Sequence, residues 1–217
     1  AGVLSIALAM GVSVMPAFAA QVQGPPYEDM SRVYLTKNYE LANTGTLSPE
    51  ETFTFTIDPG TVTDASDGIE AADYMPSVGD VSYAQGEAGS ANKTRQIEIQ
   101  LPKYDSVGVY TYIIHEVAGN SAGVTYYGDA ILLRVTVIEQ DGKLRIAAVH
   151  TEDPESTGEG KKDDFDNLYS AGELEVHKDV EGIMGNKEKY FKFTVQLTGE
   201  EGKTYQDSYA ILSLIHI

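Results

Sequence analysis

Near the start of the chain, residues 32–40 have the sequence RVYLTKNYE, an alternation typical of a β-strand. Successive side chains of a strand point to opposite faces, so Val33, Leu35, Lys37 and Tyr39 share one face. That face is the more apolar one and should point to the core, which puts Lys37 in a core register. A buried lysine without a partner is very costly. We therefore predict that Lys37 meets a polar partner inside the protein, unless it extends to water from a strand end.

The composition of the chain limits its size class and its partners. The 217 residues carry a formal net charge of −18 and contain no cysteine. This length predicts one or two domains. The negative charge argues against a nucleic-acid partner, which requires a basic patch, and suits an exposed, soluble protein. Secreted β-proteins of this size often contain disulfides, so this chain either has no covalent staple or has one of another kind.

Two segments at the front of the chain are predicted to lie outside the fold. Residues 1–20 are uncharged, and their apolar run ends in PAFAA at 16–20, the cleavage pattern of a secretory signal peptide. The basic region that opens such a peptide is missing, so we expect this segment to be truncated at its start. Residues 21–31 contain Gly and Pro and predict an extended leader. We expect the mature protein to be secreted.

Short strands separated by turn signals follow the first strand. Residues 52–57 have the alternating sequence TFTFTI, and Asp141-Gly142 is a two-residue hairpin turn. No helical period interrupts this pattern, so we predict an all-β fold with one β-sandwich domain over residues 32–171. The later strands are predicted at 51–57, 94–101, 108–117, 129–140, 143–150 and 165–169.

Residues 58–92 are rich in Gly, Asp and Ser and predict a long loop, with a short helix near Ile69–Tyr74. The acidic residues of this loop raise the question of calcium. Their spacing lacks the alternating ligands and the distal glutamate of an EF-hand loop. We therefore interpret them as solvated side chains, and we predict no metal site and no cofactor.

The pattern of the first strand returns late in the chain. Lys178 occupies the core register of a second apolar alternation, as Lys37 does in the first. Residues 53–57 (FTFTI) are likewise echoed by residues 191–195 (FKFTV). A single lysine in a core register is most often a strand-end residue. Its recurrence in the same context favours a function.

The repeat predicts a second domain of which only the beginning is present. It stops after about two strands, and two strands do not form a stable domain alone. We therefore expect residues 172–211 to be the incomplete start of a second, similar β-domain. Residues 212–217 lack the acidic and turn-forming residues that are common in the rest of the chain, and we expect them to be a foreign or artefactual tail.

Two further polar residues occupy core registers. Glu116 lies on the apolar face of its strand, and Asn167 lies between Phe165 and Tyr169 on an inward face. One interpretation is a structural ion pair between Lys37 and Glu116, capped by the Asn167 amide. The other is covalent, because burial lowers a lysine pKa and raises a glutamate pKa.

In the covalent interpretation, the neutral Lys37 amine attacks the Asn167 carboxamide. Glu116 is the catalytic acid, which polarises the carbonyl and shuttles protons to the leaving ammonia. The product is a Lys–Asn isopeptide bond. The uncatalysed reaction is slow, but fixed geometry supplies effective molarities on the order of 10⁵–10⁸ M.

Four stretches of the sequence resemble Gram-positive major pilins of the streptococcal FctA type, whose shared unit is called the pilin isopeptide linkage domain. In order, they carry a lysine, a glutamate, an asparagine and a new lysine. The resemblance covers residues 32–197 and is weak across residues 58–92. The four stretches are Val33–Asn38, Tyr110–Glu116, Phe165–Asn167 and Glu173–Lys178.

The resemblance implies an Ig-like β-sandwich in which Lys37 and Asn167 are joined with the help of Glu116. Lys178 is then the isopeptide lysine of the second domain. The implied protein is a structural subunit of a surface pilus. Its only chemistry is a single-turnover crosslink within its own chain.

The same resemblance implies a cell-wall-anchored pilus whose partners are other pilin subunits and a sortase. A sortase joins a sorting-signal threonine of one subunit to a lysine of the next, and the matching lysine lies in the loop before Asn167. Lys161 and Lys162 are the acceptor candidates, and the register leaves the choice open. The alternative is that they form a solvated basic pair. No LPxTG-like sorting signal occurs in the sequence, so wall attachment is inferred from the resemblance.

Two other functions compete with a pilus shaft. A stalk or adhesin domain of a wall-anchored protein would bind a host ligand. The pair Tyr126-Tyr127 is the candidate for such a site, although core packing explains it equally well. A secreted enzyme would need an acid pair, a metal triad or a Ser-His-Asp set. His115, His150 and His177 are isolated, and no G-x-S-x-G or H-E-x-x-H motif occurs, so we expect no conventional enzyme.

Overall fold

Two five-stranded sheets form the fold. The computed structural model describes residues 30–155, 160–172, 176–179, 181 and 191–206. The strands are β1 (Arg32–Leu41), β2 (Glu51–Thr63), β3 (Ser77–Val78), β4 (Val81–Tyr83), β5 (Thr94–Gln100), β6 (Gly108–Val117), β7 (Val124–Thr125), β8 (Ala130–Gln140), β9 (Lys143–Glu152) and β10 (Asp164–Tyr169). The strand order is β3-β5-β1-β10-β7 in the first sheet and β4-β2-β6-β8-β9 in the second.

The predicted all-β sandwich is confirmed, and its core consists of alternate residues of both sheets. In β1, Leu35, Lys37 and Tyr39 are buried, whereas the side chains between them are only half-buried. In β2, Phe53 and Phe55 are buried and the threonines beside them are not. The alternation read from the sequence therefore identifies the inward faces correctly, and Lys37 is inside.

The first and last strands of the sandwich, β1 and β10, are neighbours and run parallel. Lys37 pairs with Phe165, and Tyr39 pairs with Asn167. Lys37 and Asn167 therefore lie on the same face of adjacent strands, two positions apart in register. Parallel neighbours need a long crossover connection, and here that connection contains the eight strands β2 to β9. The two side chains come together only when the whole domain has folded.

The predicted hairpin between β8 and β9 is confirmed. Asp141 and Gly142 have φ values of 54° and 72°, as a type I′ turn requires at both central positions. Such a turn matches the twist of the strands that it joins. Apart from β2, the other long strands lie close to their predicted bounds, because each has a clear alternation.

The region 58–92 is more regular than the long loop predicted from the sequence. β2 continues past Pro59 to Thr63, and the short strands β3 and β4 follow. Pro59 is tolerated because the β2–β6 register shifts there, and such irregularities do not need its missing N–H. The predicted short helix is present as a 3-10 helix at Ala71–Tyr74. Strands of two or three residues, such as β3, β4 and β7, have too little periodicity to be found from sequence.

Within the described residues after Gly172, no strand is present. Thr204 forms an isolated bridge with Ser121 of the sandwich, and Gln206 Nε2 donates to the Leu47 carbonyl oxygen at 3.1 Å. The second β-domain over 172–211 stays a prediction. The signal peptide at 1–20, the leader up to residue 29 and the tail at 212–217 lie outside the described residues.

Gly60, in the irregular part of β2, has no room for a side chain. A Cβ atom there would lie 2.7 Å from the Thr111 carbonyl oxygen of β6. The Thr111 hydroxyl cannot move away freely, because it accepts a hydrogen bond from the Thr61 N–H at 2.7 Å. We expect Gly60→Ala to lower the free energy of unfolding by about 1–3 kcal/mol, measured by urea denaturation. Gly128→Ala is the control, since nothing lies within 4 Å of its added Cβ. Equal losses in both variants would contradict this explanation.

Candidate functional site

Three side chains predicted from the sequence meet between the two sheets. Lys37 comes from β1, Asn167 from the adjacent β10, and Glu116 from β6 in the opposite sheet. Lys37 Nζ contacts Asn167 Oδ1 directly and lies 3.1 Å from Glu116 Oε2. The side chains of Lys37 and Glu116 are 0% exposed, and Asn167 is buried as well. The alternative of a strand-end lysine that reaches water is therefore excluded.

The two carboxylate oxygens of Glu116 have different partners. Oε1 accepts a hydrogen bond from Asn167 Nδ2 and another, of 3.1 Å, from the backbone N–H of Tyr127. Oε2 forms an ion pair with Lys37 Nζ and has no aligned hydrogen-bond donor among the described residues. The carboxyl group thus touches both the amine and the amide nitrogen, which is the geometry that a proton shuttle requires. The predicted polarisation of the Asn167 carbonyl by Glu116 differs from this arrangement, because Oδ1 contacts Lys37 Nζ and Glu116 accepts from Nδ2.

One aromatic ring lies over the Lys37 amine, and others pack against Phe165, the strand partner of Lys37. Nζ lies 4.1 Å from the centroid of the Phe53 ring, and the Phe165 carbonyl oxygen accepts a hydrogen bond from it at 3.3 Å. Phe55 and Tyr127 pack edge-to-face against the Phe165 ring, with centroid distances of 5.1 Å and 5.0 Å. These rings exclude water, so charges in the site are poorly solvated and interact strongly.

Burial changes the acid–base properties of Lys37. Loss of hydration lowers its pKa from 10.5 to about 8, and the attraction of Glu116 offsets only part of this effect. At a pKa of 8, about one molecule in ten carries the neutral amine at pH 7, far more than for an exposed lysine. The neutral amine is the nucleophilic form. The site is therefore suited to covalent chemistry as well as to an ion pair.

A protein-family model described as FctA, a Spy0128-like isopeptide containing domain, matches residues 33–170. The chain belongs to this family. The resemblance to FctA-type pilins predicted from the sequence is thereby confirmed. Residues 172–214 of this FctA-family chain match a second model, DUF7601, a domain of unknown function.

Known pilins are similar to this FctA chain in sequence and in fold. A pilin of Streptococcus pyogenes serotype M1 is 26% identical over 199 residues, which cover 89% of this chain and 58% of that pilin. The crystal structure of the major pilin from Streptococcus pyogenes matches with a TM-score of 0.58 and 25% identity, over 75% of this chain and 58% of that chain. The major pilin T-13 of the same species matches with a TM-score of 0.52 and 22% identity, over 65% and 53% of the two chains. The chain thus spans less than two thirds of these relatives.

The two acceptor candidates, Lys161 and Lys162, have different surroundings. The Lys161 side chain is 76% exposed and pairs with the exposed Asp163. The Lys162 side chain is 28% exposed and lies 3.2 Å from Asp164 Oδ1, with its Nζ 5.3 Å from the centroid of the Tyr127 ring. Lys161 is therefore the more accessible amine, and Lys162 is packed against the wall of the buried site.

Lys178 lies apart from the buried site. It is exposed, and its Nζ donates to the carbonyl oxygen of Asp179 at 2.9 Å. The same Nζ is 5.2 Å from the centroid of the Phe191 ring. Lys178 and Phe191, which correspond to Lys37 and Phe53 in the sequence repeat, therefore lie near each other. Its assignment as the isopeptide lysine of a second domain stays a prediction.

The tyrosine pair considered as a ligand site packs inward. The Tyr126 ring lies against Phe53, with a centroid distance of 6.0 Å, and its hydroxyl donates to Glu51 Oε1 at 3.0 Å. Tyr127 packs on Phe165. The structure therefore favours core packing over an exposed aromatic site. The contact of Tyr127 with Glu116 was missed from the sequence because a backbone N–H leaves no signal in residue type.

Other kinds of site find little support in the described residues. There, no group of three or more His, Cys, Asp or Glu side chains is placed to hold a metal ion. His115 Nε2 lies 4.0 Å from Asp58 Oδ2, but both side chains are largely exposed, unlike the desolvated pairs of most acid–base sites. No helix in the described part of the chain is long and apolar enough to cross a membrane.

The lowered pKa of Lys37 predicts a pH-dependent stability in a variant that cannot form a crosslink, Asn167→Ala. Between the folded pKa of about 8 and the unfolded value of 10.5, the unfolded chain binds more protons than the folded one. The contribution of Lys37 to stability therefore rises with pH in this window and is least favourable below about pH 8. Relative to the double variant Lys37→Met, Asn167→Ala, we expect the free energy of unfolding to rise by roughly 1–2 kcal/mol between about pH 8 and about pH 9.5. The comparison is needed because buried tyrosines, whose raised pKa values lower stability as the pH approaches 10, are common to both variants.

Urea unfolding of Asn167→Ala at several pH values measures this rise. The double variant Lys37→Met, Asn167→Ala is the control, because it lacks the titrating amine and keeps the rest of the site. If both variants show the same pH dependence, Lys37 is not the group responsible.

Proposed function

We propose that this chain is part of a structural subunit of a covalently assembled surface pilus, stabilised by an isopeptide bond between Lys37 and Asn167. The observation that carries the proposal is the buried contact of the Lys37 amine with both the Asn167 amide and the Glu116 carboxyl group. The similarity to Streptococcus pyogenes pilins supports the same function. The proposal also implies export to the cell surface.

The bond forms in one turnover, with Glu116 as the proton carrier. Transfer of a proton from the Lys37 ammonium to Glu116 Oε2 leaves a neutral amine, which attacks Asn167 Cγ. The Nζ–Cγ bond forms and the Cγ–Nδ2 bond breaks. Glu116 gives one amine proton to Nδ2, so that ammonia leaves, and keeps the second proton, so that the new amide and the Glu116 carboxylic acid are both neutral. The Phe165 carbonyl orients the amine through its hydrogen bond.

The position of the bond suits a fibre that carries tension. Lys37 and Asn167 are 130 positions apart in sequence, and their strands are the first and the last of the sandwich. A force that enters through β1 and leaves through β10 passes across the bond and bypasses the strands between them. Closing a loop of this length also restricts the unfolded chain, by about 4–5 kcal/mol on the loop-entropy argument. The bond would thus take the place of a disulfide in a chain without cysteine.

For assembly, we propose that a sortase joins the next subunit to Lys161. Its amine is exposed in the loop before β10, whereas the Lys162 amine is held by Asp164 and Tyr127. An amine must leave its contacts to reach an enzyme-bound acyl group, and Lys161 has fewer to leave. The partners are then other pilin subunits and a sortase. A host-binding adhesin is the weaker alternative, because the tyrosine pair that suggested it packs inward.

Intact mass spectrometry of the purified chain tests the crosslink. Bond formation removes one ammonia, so we expect a mass about 17 Da below that of the sequence, because one C–N bond replaces another with loss of the leaving group. Lys37→Ala, Asn167→Ala and Glu116→Ala should each restore the full mass. Peptide mapping of the wild type should find residues 37 and 167 in one branched peptide. A wild-type chain with the full mass would refute the proposal.

The choice of acceptor lysine is tested in producing cells. We expect Lys161→Arg to abolish the high-mass ladder of covalent polymers, because arginine keeps the charge but is not acylated. Lys162→Arg is the matched control and should keep the ladder, which is read by immunoblot of cell-wall extracts. A ladder that is lost only in Lys162→Arg would show that the assignment is reversed.

A further inference from the structure

The loop between β7 and β8 brings a backbone donor to Glu116. Tyr127 lies in this loop, between the end of β7 at Thr125 and the start of β8 at Ala130. Its N–H donates to Glu116 Oε1 at 3.1 Å. No strand pairing fixes the backbone of Tyr127, and the next residue, Gly128, has open space where a side chain would be. The position of this N–H therefore depends on what holds the Tyr127 side chain.

Two groups hold the Tyr127 ring, and both belong to the segment that carries Asn167. Phe165 of β10 packs against it edge-to-face, with an interplanar angle of 77°. Lys162 Nζ lies 5.3 Å from the ring centroid, within the range of a cation–π interaction. Lys162 is itself fixed by Asp164 Oδ1 at 3.2 Å. Burial alone would lower the pKa of Lys162, but Asp164 and Tyr127 together raise it, so the cation is retained at neutral pH.

We propose that Tyr127 is a positioning residue for Glu116 and that Lys162 holds Tyr127 in place. This inference rests on the proposed crosslinking function. It gives Lys162 a role in formation of the internal bond, whereas its neighbour Lys161 serves assembly. The N–H of Tyr127 binds Oε1 and thereby turns Oε2 toward Lys37 Nζ. If the Tyr127 ring loses its contacts, the backbone N–H no longer holds Oε1 in place. The carboxyl group can then rotate away from the amine, and the crosslink forms more slowly.

The neighbouring residue supports this role for the loop. The Tyr126 hydroxyl donates to Glu51 Oε1, and its ring packs on Phe53, the ring that lies over Lys37 Nζ. Each tyrosine of the pair therefore binds one buried carboxyl group and packs on one wall of the Lys37 site. The loop is joined to β10 as well, because β7 pairs with Leu168 and Tyr169.

The rate of ammonia loss in the full chain tests the inference. The chain is made by cell-free synthesis, translation is stopped, and intact mass is followed over time. We expect Lys162→Met to slow the reaction about fivefold, as loss of a cation–π contact of about 1 kcal/mol predicts. Lys161→Met removes the same charge one residue away and should react at the wild-type rate. Lys162→Arg keeps a cation over the ring and should restore the rate.

Variants of Tyr127 test the ring separately from the lysine. Tyr127→Phe keeps the aromatic face but loses the hydroxyl that contacts Lys162, so it should crosslink faster than Tyr127→Ala, which should be slowed more than Lys162→Met. An effect on folding is separated by urea unfolding of Lys162→Met in the Asn167→Ala background, where no bond forms. The chain should remain fully folded there in the absence of urea, because the lost contact is small against the free energy of unfolding of a domain.

One outcome supports the role of Lys162 and three overturn it. A slowed Lys162→Met that remains folded without urea and is rescued by Lys162→Arg supports the inference. It is overturned if Lys162→Met reacts at the wild-type rate, or if Lys161→Met is slowed equally, which would indicate a general charge effect. A Lys162→Met chain that is partly unfolded without urea also overturns it, since the role would then be structural. A wild type that never loses ammonia is a different failure, that of the proposed crosslink itself.

Discussion

The structure depends on a lysine amine that has been removed from water. Lys37 lies between the two sheets, where its ammonium loses hydration and would be very costly alone. A carboxylate from β6 and an amide from β10 make the position tolerable. Because Lys37, Glu116 and Asn167 come from three different strands, the site requires the two sheets to pack and the first and last strands to pair. The polar centre of the core is therefore specified by the whole fold.

Burial has two opposed effects at this site. It destabilises the charged amine, which lowers the stability of the folded chain before any bond forms. The same loss of hydration lowers the pKa of Lys37 and increases the share of reactive amine. The proposed bond to Asn167 removes the conflict, because it turns a buried charge into a neutral amide whose burial requires only hydrogen bonds. In the proposed reaction, relief of the buried charge therefore favours the crosslinked state.

The loop before β10 carries one lysine at the surface and one that packs beside the buried site. Lys161 and Lys162 are adjacent in sequence, yet one amine faces solvent and the other packs on Tyr127. In our proposals, the exposed amine joins subunits and the packed one supports the internal bond. Both lie a few residues before Asn167, in the segment that enters the strand next to β1. The parallel pairing of β1 and β10 therefore brings together the proposed internal bond, the proposed pulling axis and the proposed acceptor lysine.

The sequence by itself determined that Lys37, Glu116 and Asn167 face the core, because side chains alternate along any strand whatever they pack against. The hairpin at Asp141-Gly142 was also predictable, since only a few residue types adopt its backbone angles. Only the tertiary structure decided that these three side chains converge. The pairing of β1 with β10 joins residues 130 positions apart, and no local pattern specifies such a contact. The structure alone likewise showed that the N–H of Tyr127 binds Glu116, because nearly every residue has such a donor and only packing selects which one is used.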